Sequence, residues 1–178
     1  MDDFGYDNRG LFYLGENNKL EIAIAVKQLV SKLVSRYNID HSIYIGSSKG
    51  GYAALYFGLD DPESTIIVGA PQYYLRYYLN DAKDNRRLAQ ICGEKVEDIG
   101  KADYIIKRKI DDNKFTGKIY LHYSSQEHTF EEHIVDLIED IERVGIKLET
   151  DEQEYKNHSD VAIYFPDYLL KSLNNILA

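Results

Sequence analysis

The sequence predicts an α/β protein in which a mostly parallel sheet lies between two layers of helices, a three-layer sandwich. Short runs rich in β-branched residues alternate with longer segments whose apolar residues have helical spacing. The run 42–45 stops at Gly46, and the run 65–70 is closed by Gly69 and Pro71. This alternation is typical of parallel strands joined by right-handed helical crossovers.

The first half of the chain predicts two helices and two strands. Residues 17–37 contain apolar side chains whose later part has helical spacing, and Asn17 or Asn18 is a candidate cap at its start. Residues 41–59 read as a strand, a sharp turn and an alanine-rich helix. The apolar run 65–70 suits a strand that is buried on both faces.

The second half predicts a helical segment and two further strand–helix units. Residues 72–116 are polar, tyrosine-rich and partly helical, which predicts layer helices or a helical cap inserted over a site. Residues 117–124 are a third strand candidate, and residues 128–145 place apolar side chains at helical spacing. Residues 146–155 alternate enough for a fourth strand near an edge, and a terminal helix interrupted by Pro166 follows.

The bulk composition predicts one domain spanning residues 1–178, because 178 residues fall within the usual size of a domain. The 30 acidic residues outnumber the 21 basic ones, and the resulting net charge of −9 argues against a nucleic-acid partner. No segment approaches the roughly 20 apolar residues of a membrane helix, so we expect no membrane span. Cys92 is the only cysteine, which fits a reducing, cytoplasmic compartment.

Residues 46–50 read G-S-S-K-G, which matches G-x-S-x-G between a predicted strand and a predicted helix. In that setting the flanking glycines let the strand and the helix approach closely, and the serine hydroxyl projects above the sheet. The helix N-terminus favours a developing negative charge. The motif therefore predicts Ser48 as a nucleophile. The alternative is a glycine-rich turn in which Ser48 only caps the helix.

A base and an orienting carboxylate follow the serine in the order that this motif requires. His158 lies in a loop between the last predicted strand and the last helix, and it is the predicted base. Glu127 follows the third strand, where catalytic groups collect in parallel sheets, and it is the predicted acid. Glu131, Glu132 and Asp160 are alternative acids, and a structural or solvated role is the alternative for His158.

These residues predict a mechanism of acyl transfer. His158 removes the proton of Ser48, and Glu127 holds the imidazole and stabilises its cation. The backbone N–H of Lys49 is the predicted oxyanion donor. A second donor is required, and the sequence assigns none.

Two other residue patterns partly resemble metal-binding and phosphate-binding motifs. His128, Glu132 and His133 form H-x-x-x-E-H, which matches neither H-x-x-E-H nor H-E-x-x-H. The glycines of residues 46–51 fit neither G-x-G-x-x-G nor G-x-x-x-x-G-K-[ST]. The sequence therefore predicts no metal and no cofactor.

Residues 46–59, GSSKGGYAALYFGL, resemble the nucleophile elbow and following helix of the α/β-hydrolase superfamily. Residues 6–10, YDNRG, resemble the D-x-R-G stretch that follows the fourth strand in many of these enzymes. The resemblance spans nearly the whole chain and implies a reduced or truncated α/β-hydrolase fold. The early strands, with the loop that supplies one oxyanion donor, would precede this sequence, so the chain is either part of a longer protein or a reduced version.

A narrower likeness joins four segments: YDNRGLFYLG, GSSKGGYAALYFGL, VGAPQY and EHTFEEHI. Together they look similar to hydrolase-like domains of bacterial capsular polysaccharide biosynthesis proteins and of an accessory secretion protein for glycosylated adhesins. This resemblance implies acyl transfer to or from a sugar, such as O-acetylation, through a triad that corresponds to Ser48, Glu127 and His158.

The leading hypothesis is therefore a serine esterase, deacetylase or O-acyltransferase that acts on a small-molecule or carbohydrate acyl ester. The alternative is a non-catalytic hydrolase-like module that binds or scaffolds in polysaccharide or glycoprotein biosynthesis. Residues 72–80, QYYLRYYLN, are a candidate surface for a protein partner or a second copy of the chain.

Overall fold

The computed structural model describes residues 2–93 and 95–178 and contains a four-stranded sheet. Its strands, in chain order, are β1 (Ile43–Ser47), β2 (Thr65–Gly69), β3 (Lys118–Tyr123) and β4 (Lys147–Glu152). Each strand pairs in parallel with the next one along the chain, and Ile67, for example, lies between Ile45 and Tyr120. The carboxyl ends of all four strands therefore meet at one edge of the sheet.

The helices of the described residues fill the segments between and around these strands. They are α1 (Glu21–Tyr37), α2 (Lys49–Gly58), α3 (Leu75–Asp81), α4 (Asn85–Cys92), α5 (Val96–Lys101), α6 (Ile105–Asp111), α7 (Val135–Arg143) and α8 (Val161–Leu177). A π-helical turn, Phe130–Ile134, leads into α7, and a short 3₁₀ turn, His158–Asp160, leads into α8. None of the helices that the structure describes is long and apolar enough to cross a membrane.

The chain divides into two compact units. A helical unit contains the residues up to Asp40 together with Tyr74–Ile105, and a sheet unit contains His41–Tyr73 and Ile106–Ala178. The segment 72–116 carries α3, α4, α5 and α6, as its helical pattern predicts. The single-domain organisation of residues 1–178 and the cap role of this segment remain predictions.

The helical unit is organised by the buried carboxylate of Asp84, which caps the start of α4. Its side chain accepts hydrogen bonds from the hydroxyl of Tyr6 and from the backbone and guanidinium of Arg87, and Arg9 lies 3.3 Å away. Burial by itself would raise the pKa of Asp84, but the Tyr6 hydrogen bond and the Arg87 charge outweigh it and lower that pKa. The N-terminal segment is thus attached to α4 by charge-assisted bonds.

The sheet unit has helices on both faces, as the predicted three-layer sandwich requires. Ile67 and Tyr120 pack with Phe165 and Tyr168 of α8 in one apolar cluster. Successive strand residues point to opposite faces. Ile66 accordingly lies against α2, so close that a methyl group added at Gly58 would come within 2.6 Å of it. The α/β class with a parallel sheet between helices is therefore confirmed.

The terminal helix differs from its prediction, because α8 continues through Pro166 without a break. Proline lacks an N–H, so the carbonyl of Ala162 has no hydrogen bond from this position. Ala162 is exposed, and water can therefore bond that carbonyl. The apolar contacts of Val161, Phe165 and Tyr168 on both sides of the proline hold the helix to the sheet.

Candidate active site

Ser48 lies in a strained turn at the junction of β1 and α2. Its backbone angles are φ 52° and ψ −123°, a conformation that side-chain-bearing residues rarely adopt. The backbone N–H of Ser48 donates to the carbonyl of Gly69 at 2.8 Å, and its carbonyl accepts from Tyr52 at 3.1 Å. These bonds tie the turn to the end of β2 and to α2, and this places Ser48 at the carboxyl edge of the sheet.

The three glycines around Ser48 differ in how closely other atoms pack against them. A methyl group at Gly46 would come within 2.2 Å of the Gly50 carbonyl oxygen, and one at Gly51 would come within 2.8 Å of Pro71. A methyl group at Gly50 would meet nothing within 4 Å. The Gly50 backbone therefore requires glycine at position 46, and the Pro71 ring requires it at position 51, whereas no packing contact requires it at position 50.

The structure brings Ser48, His158 and Glu127 into one hydrogen-bonded row. Nε2 of His158 lies 2.8 Å from Oγ of Ser48, and Nδ1 of the same ring lies 2.9 Å from Oε2 of Glu127. A carboxylate only accepts hydrogen bonds, so Nδ1 carries the proton and Nε2 accepts from the serine hydroxyl. This tautomer is the one in which the ring can take a proton from Ser48.

Two loops that leave neighbouring strands carry the acid and the base, and Ser124 joins them. The hydroxyl of buried Ser124 donates to the carbonyl of Tyr155 at 2.7 Å. It also accepts from the backbone N–H of Tyr155 at 3.1 Å and from that of Gln126 at 3.2 Å. The loop with Glu127 and the loop with His158 are thereby fixed to each other.

Glu127 is almost fully buried, with 3% of its surface exposed. Its Oε1 has no hydrogen-bond partner among the residues that the structure describes. Burial raises the pKa of the nearby Tyr155, and the negative charge of Glu127 raises it further. The carboxylate is therefore buried away from solvent, where its attraction to a positively charged imidazole is weakly screened.

Asp160, Glu131 and Glu132 are the three alternative acids. Asp160 accepts from the side chain of Asn157 at 3.2 Å, in the turn that carries His158. Glu131 and Glu132 belong to the π-helical turn before α7. The structure therefore pairs His158 with Glu127.

The residues of the H-x-x-x-E-H pattern form no metal-binding cluster. The described part of the chain contains no group of three or more His, Cys, Asp or Glu side chains that could hold a metal ion. The ring of His128 packs edge-on against that of His158, with centroids 6.2 Å apart. His133 is buried, with 1% of its surface exposed.

Sequence reasoning missed Gln72, whose side-chain Nε2 donates to Oγ of Ser48 at 2.8 Å. Gln72 follows β2 at the same edge of the sheet, and only 1% of its surface is exposed. The signal was its place just past the end of a buried parallel strand. The tyrosines that follow it instead predict an interaction surface at this segment. Lys49, the predicted oxyanion donor, begins α2, so its backbone N–H lies at the positive end of the helix.

No protein-family model matches the chain, and no curated protein sequence matches it at a significant level. Solved structures resemble it over almost its full length. Capsule O-acetyltransferase of Neisseria meningitidis serogroup A superposes with a TM-score of 0.75 at 21% identity, covering 97% of this chain and 72% of that chain.

Two further structures widen the comparison. A chain of the Glycosylation Associate Protein (Gap123) complex from Streptococcus agalactiae gives a TM-score of 0.77 at 16% identity, over 96% of this chain and 35% of that chain. An S-formylglutathione hydrolase from Agrobacterium tumefaciens gives 0.64 at 16% identity, over 90% and 61%. At these identities the likeness establishes the fold, and the chain therefore has an α/β-hydrolase-like fold.

Proposed function

We propose that this protein is a serine acyl hydrolase or O-acyltransferase in which Ser48 is the nucleophile, His158 the base and Glu127 the orienting acid. The observation that carries the proposal is the hydrogen-bonded row from Ser48 through His158 to Glu127, with distances of 2.8 Å and 2.9 Å. The strained turn at Ser48 supports it, since strain of this kind collects at active sites.

The first half of the proposed reaction forms an acyl-enzyme. Oγ of Ser48 attacks the acyl carbonyl carbon while its proton passes to Nε2 of His158, and Glu127 stabilises the resulting imidazolium. The carbonyl oxygen becomes an oxyanion that accepts a hydrogen bond from the backbone N–H of Lys49. The bond to the leaving group then breaks, and the leaving group takes the proton from His158.

The second half regenerates the serine. An acceptor hydroxyl gives its proton to Nε2 of His158 as its oxygen attacks the acyl carbonyl. The bond between the acyl carbon and Oγ of Ser48 breaks, and Oγ recovers the proton from His158. Water as acceptor makes the protein an esterase or deacetylase, and a sugar hydroxyl makes it an O-acyltransferase.

Carbohydrate-linked acyl groups are the proposed substrate class. One structural neighbour is named a capsule O-acetyltransferase, and one of its structures is a complex with CoA. Another neighbour is named a hydrolase of S-formylglutathione, a thioester. We propose an acetyl ester or thioester as the acyl donor.

We also propose a cytoplasmic site of action. The single, buried thiol of Cys92 supports this location.

A fluorophosphonate probe tests the nucleophile. We expect a stoichiometric adduct on Ser48, located by mass spectrometry, that is absent in Ser48→Ala and forms far more slowly in His158→Ala. Ser47→Ala, one residue away at the end of β1, is the matched control and should label like the wild type. Circular dichroism checks that every variant is folded, and a folded wild type that forms no adduct would contradict the proposal.

One observation favours a second candidate function. The match to a chain of the Gap123 complex, over 96% of this protein, is a match to a member of a protein assembly. A hydrolase-like subunit that binds protein partners in glycoprotein biosynthesis is therefore the alternative. It predicts that the folded protein fails to react with the probe and that Ser48→Ala leaves its function unchanged.

A further inference from the structure

Gln72 is a buried amide whose hydrogen-bonding capacity is only partly used. Its Nε2 donates to Oγ of Ser48 at 2.8 Å, and 1% of the residue is exposed. Its Oε1 is buried without a hydrogen-bond partner among the described residues. A buried amide with an unpaired oxygen destabilises a fold. Its presence beside Ser48 therefore calls for an explanation other than stability.

The amide orientation follows from the proton count at Ser48. The hydroxyl has one proton, and Nε2 of His158 accepts it because Nδ1 carries the ring proton toward Glu127. If Oε1 of Gln72 faced Ser48 instead, two acceptors would compete for that proton. The NH₂ group must therefore face Oγ, which leaves all three side chains compatible.

The backbone that carries Gln72 is fixed to the nucleophile turn. The Gly69 carbonyl accepts from the N–H of Ser48 at 2.8 Å, three residues before Gln72. Pro71, the residue directly before Gln72, packs against Gly51 of α2 so closely that even a methyl group at Gly51 would lie within 2.8 Å of it. The amide is thus held in place before any substrate binds, as an electrostatic donor must be.

We infer that the side-chain amide of Gln72 is the second oxyanion donor of the proposed site, the partner of the Lys49 backbone N–H. The inference rests on the proposed acyl-transfer function. An amide NH₂ has two protons, and the described residues take up only one of them, through Oγ of Ser48. When Oγ bonds to the acyl carbon, the oxyanion is attached to that same carbon and comes within reach of the second N–H.

This donor comes from the loop after β2, which pairs with β1, the strand that leads into Ser48. A loop earlier in the sheet is therefore not needed to supply the second hydrogen bond. Glutamine at this position also adds no charge, so it stabilises the oxyanion without forming an ion pair with Glu127.

Replacement of Gln72 by methionine, a side chain of similar length without an N–H, tests the inference. We expect kcat for p-nitrophenyl acetate to fall about 10²- to 10³-fold with KM nearly unchanged, because the bond forms in the transition state. Inhibition by a trifluoromethyl ketone, which forms the same oxyanion, should weaken by the same factor. Gln72→Glu should be at least as impaired, since a carboxylate repels the oxyanion.

A stability measurement separates this role from a structural one. Gln72→Met removes an unpaired buried oxygen, so its free energy of unfolding in urea should equal or exceed that of the wild type. Gln28→Met, at an exposed glutamine in α1, is the matched control and should keep both activity and stability.

Three results would overturn the inference. Turnover by Gln72→Met within about threefold of wild type would exclude an oxyanion role. A loss of turnover that is matched by a loss of unfolding free energy would assign Gln72 to the scaffold. Absence of Ser48-dependent turnover in the wild type would overturn the proposed function and, with it, this inference; the Ser48→Ala comparison is therefore made first.

Discussion

At the scale of single residues, the hydrogen-bonded row of the site depends on which nitrogen of His158 carries the proton. Glu127 accepts from Nδ1, and this leaves Nε2 as an acceptor facing Ser48. The burial of the carboxylate strengthens its attraction to the ring whenever the ring is protonated. The position of the proton on His158 is therefore set by Glu127, which contacts a different ring nitrogen from the one that faces Ser48.

Glu127→Gln tests this dependence. The amide nitrogen of glutamine donates to Nδ1 and so favours the tautomer with the proton on Nε2, which cannot accept from Ser48. We expect kcat for an acetyl ester to fall by about 10³- to 10⁴-fold. Glu131→Gln, in the exposed part of the neighbouring turn, should retain wild-type turnover. Equal losses in both variants would exclude a specific role for Glu127.

The three residues of the row were all named from the sequence, because a motif, a chain order and strand ends pointed to them. Gln72 and Ser124 were not. Gln72 contacts Ser48 across 24 residues of chain, and Ser124 joins Tyr155 across 31. Neither has a spacing that recurs in sequences, so only the folded arrangement of the strands reveals these contacts.

At the scale of elements, the packing of the strand–turn–helix at residues 43–58 depends far more on Gly46 than on Gly50, the other glycine of the G-x-S-x-G motif. Gly46 faces the Gly50 carbonyl at a distance that leaves no room for a side chain, whereas Gly50 faces open space. A substitution that pushes α2 away from β1 also moves Ser48, because the turn joins the two elements.

Gly46→Ala and Gly50→Ala form a matched pair of variants. Gly46→Ala should lower the free energy of unfolding by about 1–3 kcal/mol, the usual overpacking penalty, and should slow probe labelling of Ser48. Gly50→Ala should leave stability unchanged or raise it by up to about 1 kcal/mol, because alanine favours a helix. Urea denaturation measures both, and equal destabilisation would contradict the packing argument.

The start of α1 shows why helix ends are harder to predict than helices. Asn17 and Asn18 were candidate caps, but the helix begins at Glu21 after Leu20, which has a left-handed backbone and no side-chain cap. The backbone N–H groups of Asn17 and Asn18 instead donate to carbonyls of α4, at 2.8 Å and 2.7 Å. Contacts with a distant helix therefore decide where this helix starts.

At the scale of the whole molecule, the alternation of strand and helix patterns was enough to predict the fold class. Few layer architectures can bury β-branched strands between helices. The division into two compact units was not visible in the sequence, since no linker separates them. The helical unit contains residues that precede β1 and residues that follow β2. A unit built from two separate segments of the chain has no change in composition that would reveal its boundaries.

The free energy of unfolding should depend on pH through the titration of Asp84. Its pKa is lowered in the folded state, so its contribution is fully present above the unfolded value of about 4 and is lost as pH falls through the folded pKa. Asp84→Asn leaves Arg87 without its partner and should cost about 3 kcal/mol at pH 7. At pH 3 the difference from wild type should be smaller.

Urea unfolding at the two pH values measures this effect. Asp81→Asn, an exposed carboxylate at the end of α3, is the control and should change stability by less than about 0.5 kcal/mol at either pH. A constant difference between wild type and Asp84→Asn from pH 7 to pH 3 would contradict the assignment.

The sheet order β1-β2-β3-β4 has a consequence for synthesis on the ribosome. Each parallel strand adds beside the one made just before it, so the sheet can assemble as the chain emerges. Ser48 is translated before Glu127, and His158 follows 110 residues after the serine. A nascent chain therefore carries the serine before its histidine partner, and on the proposed mechanism Ser48 should become reactive toward an acyl donor only when β4 and the loop after it have been released.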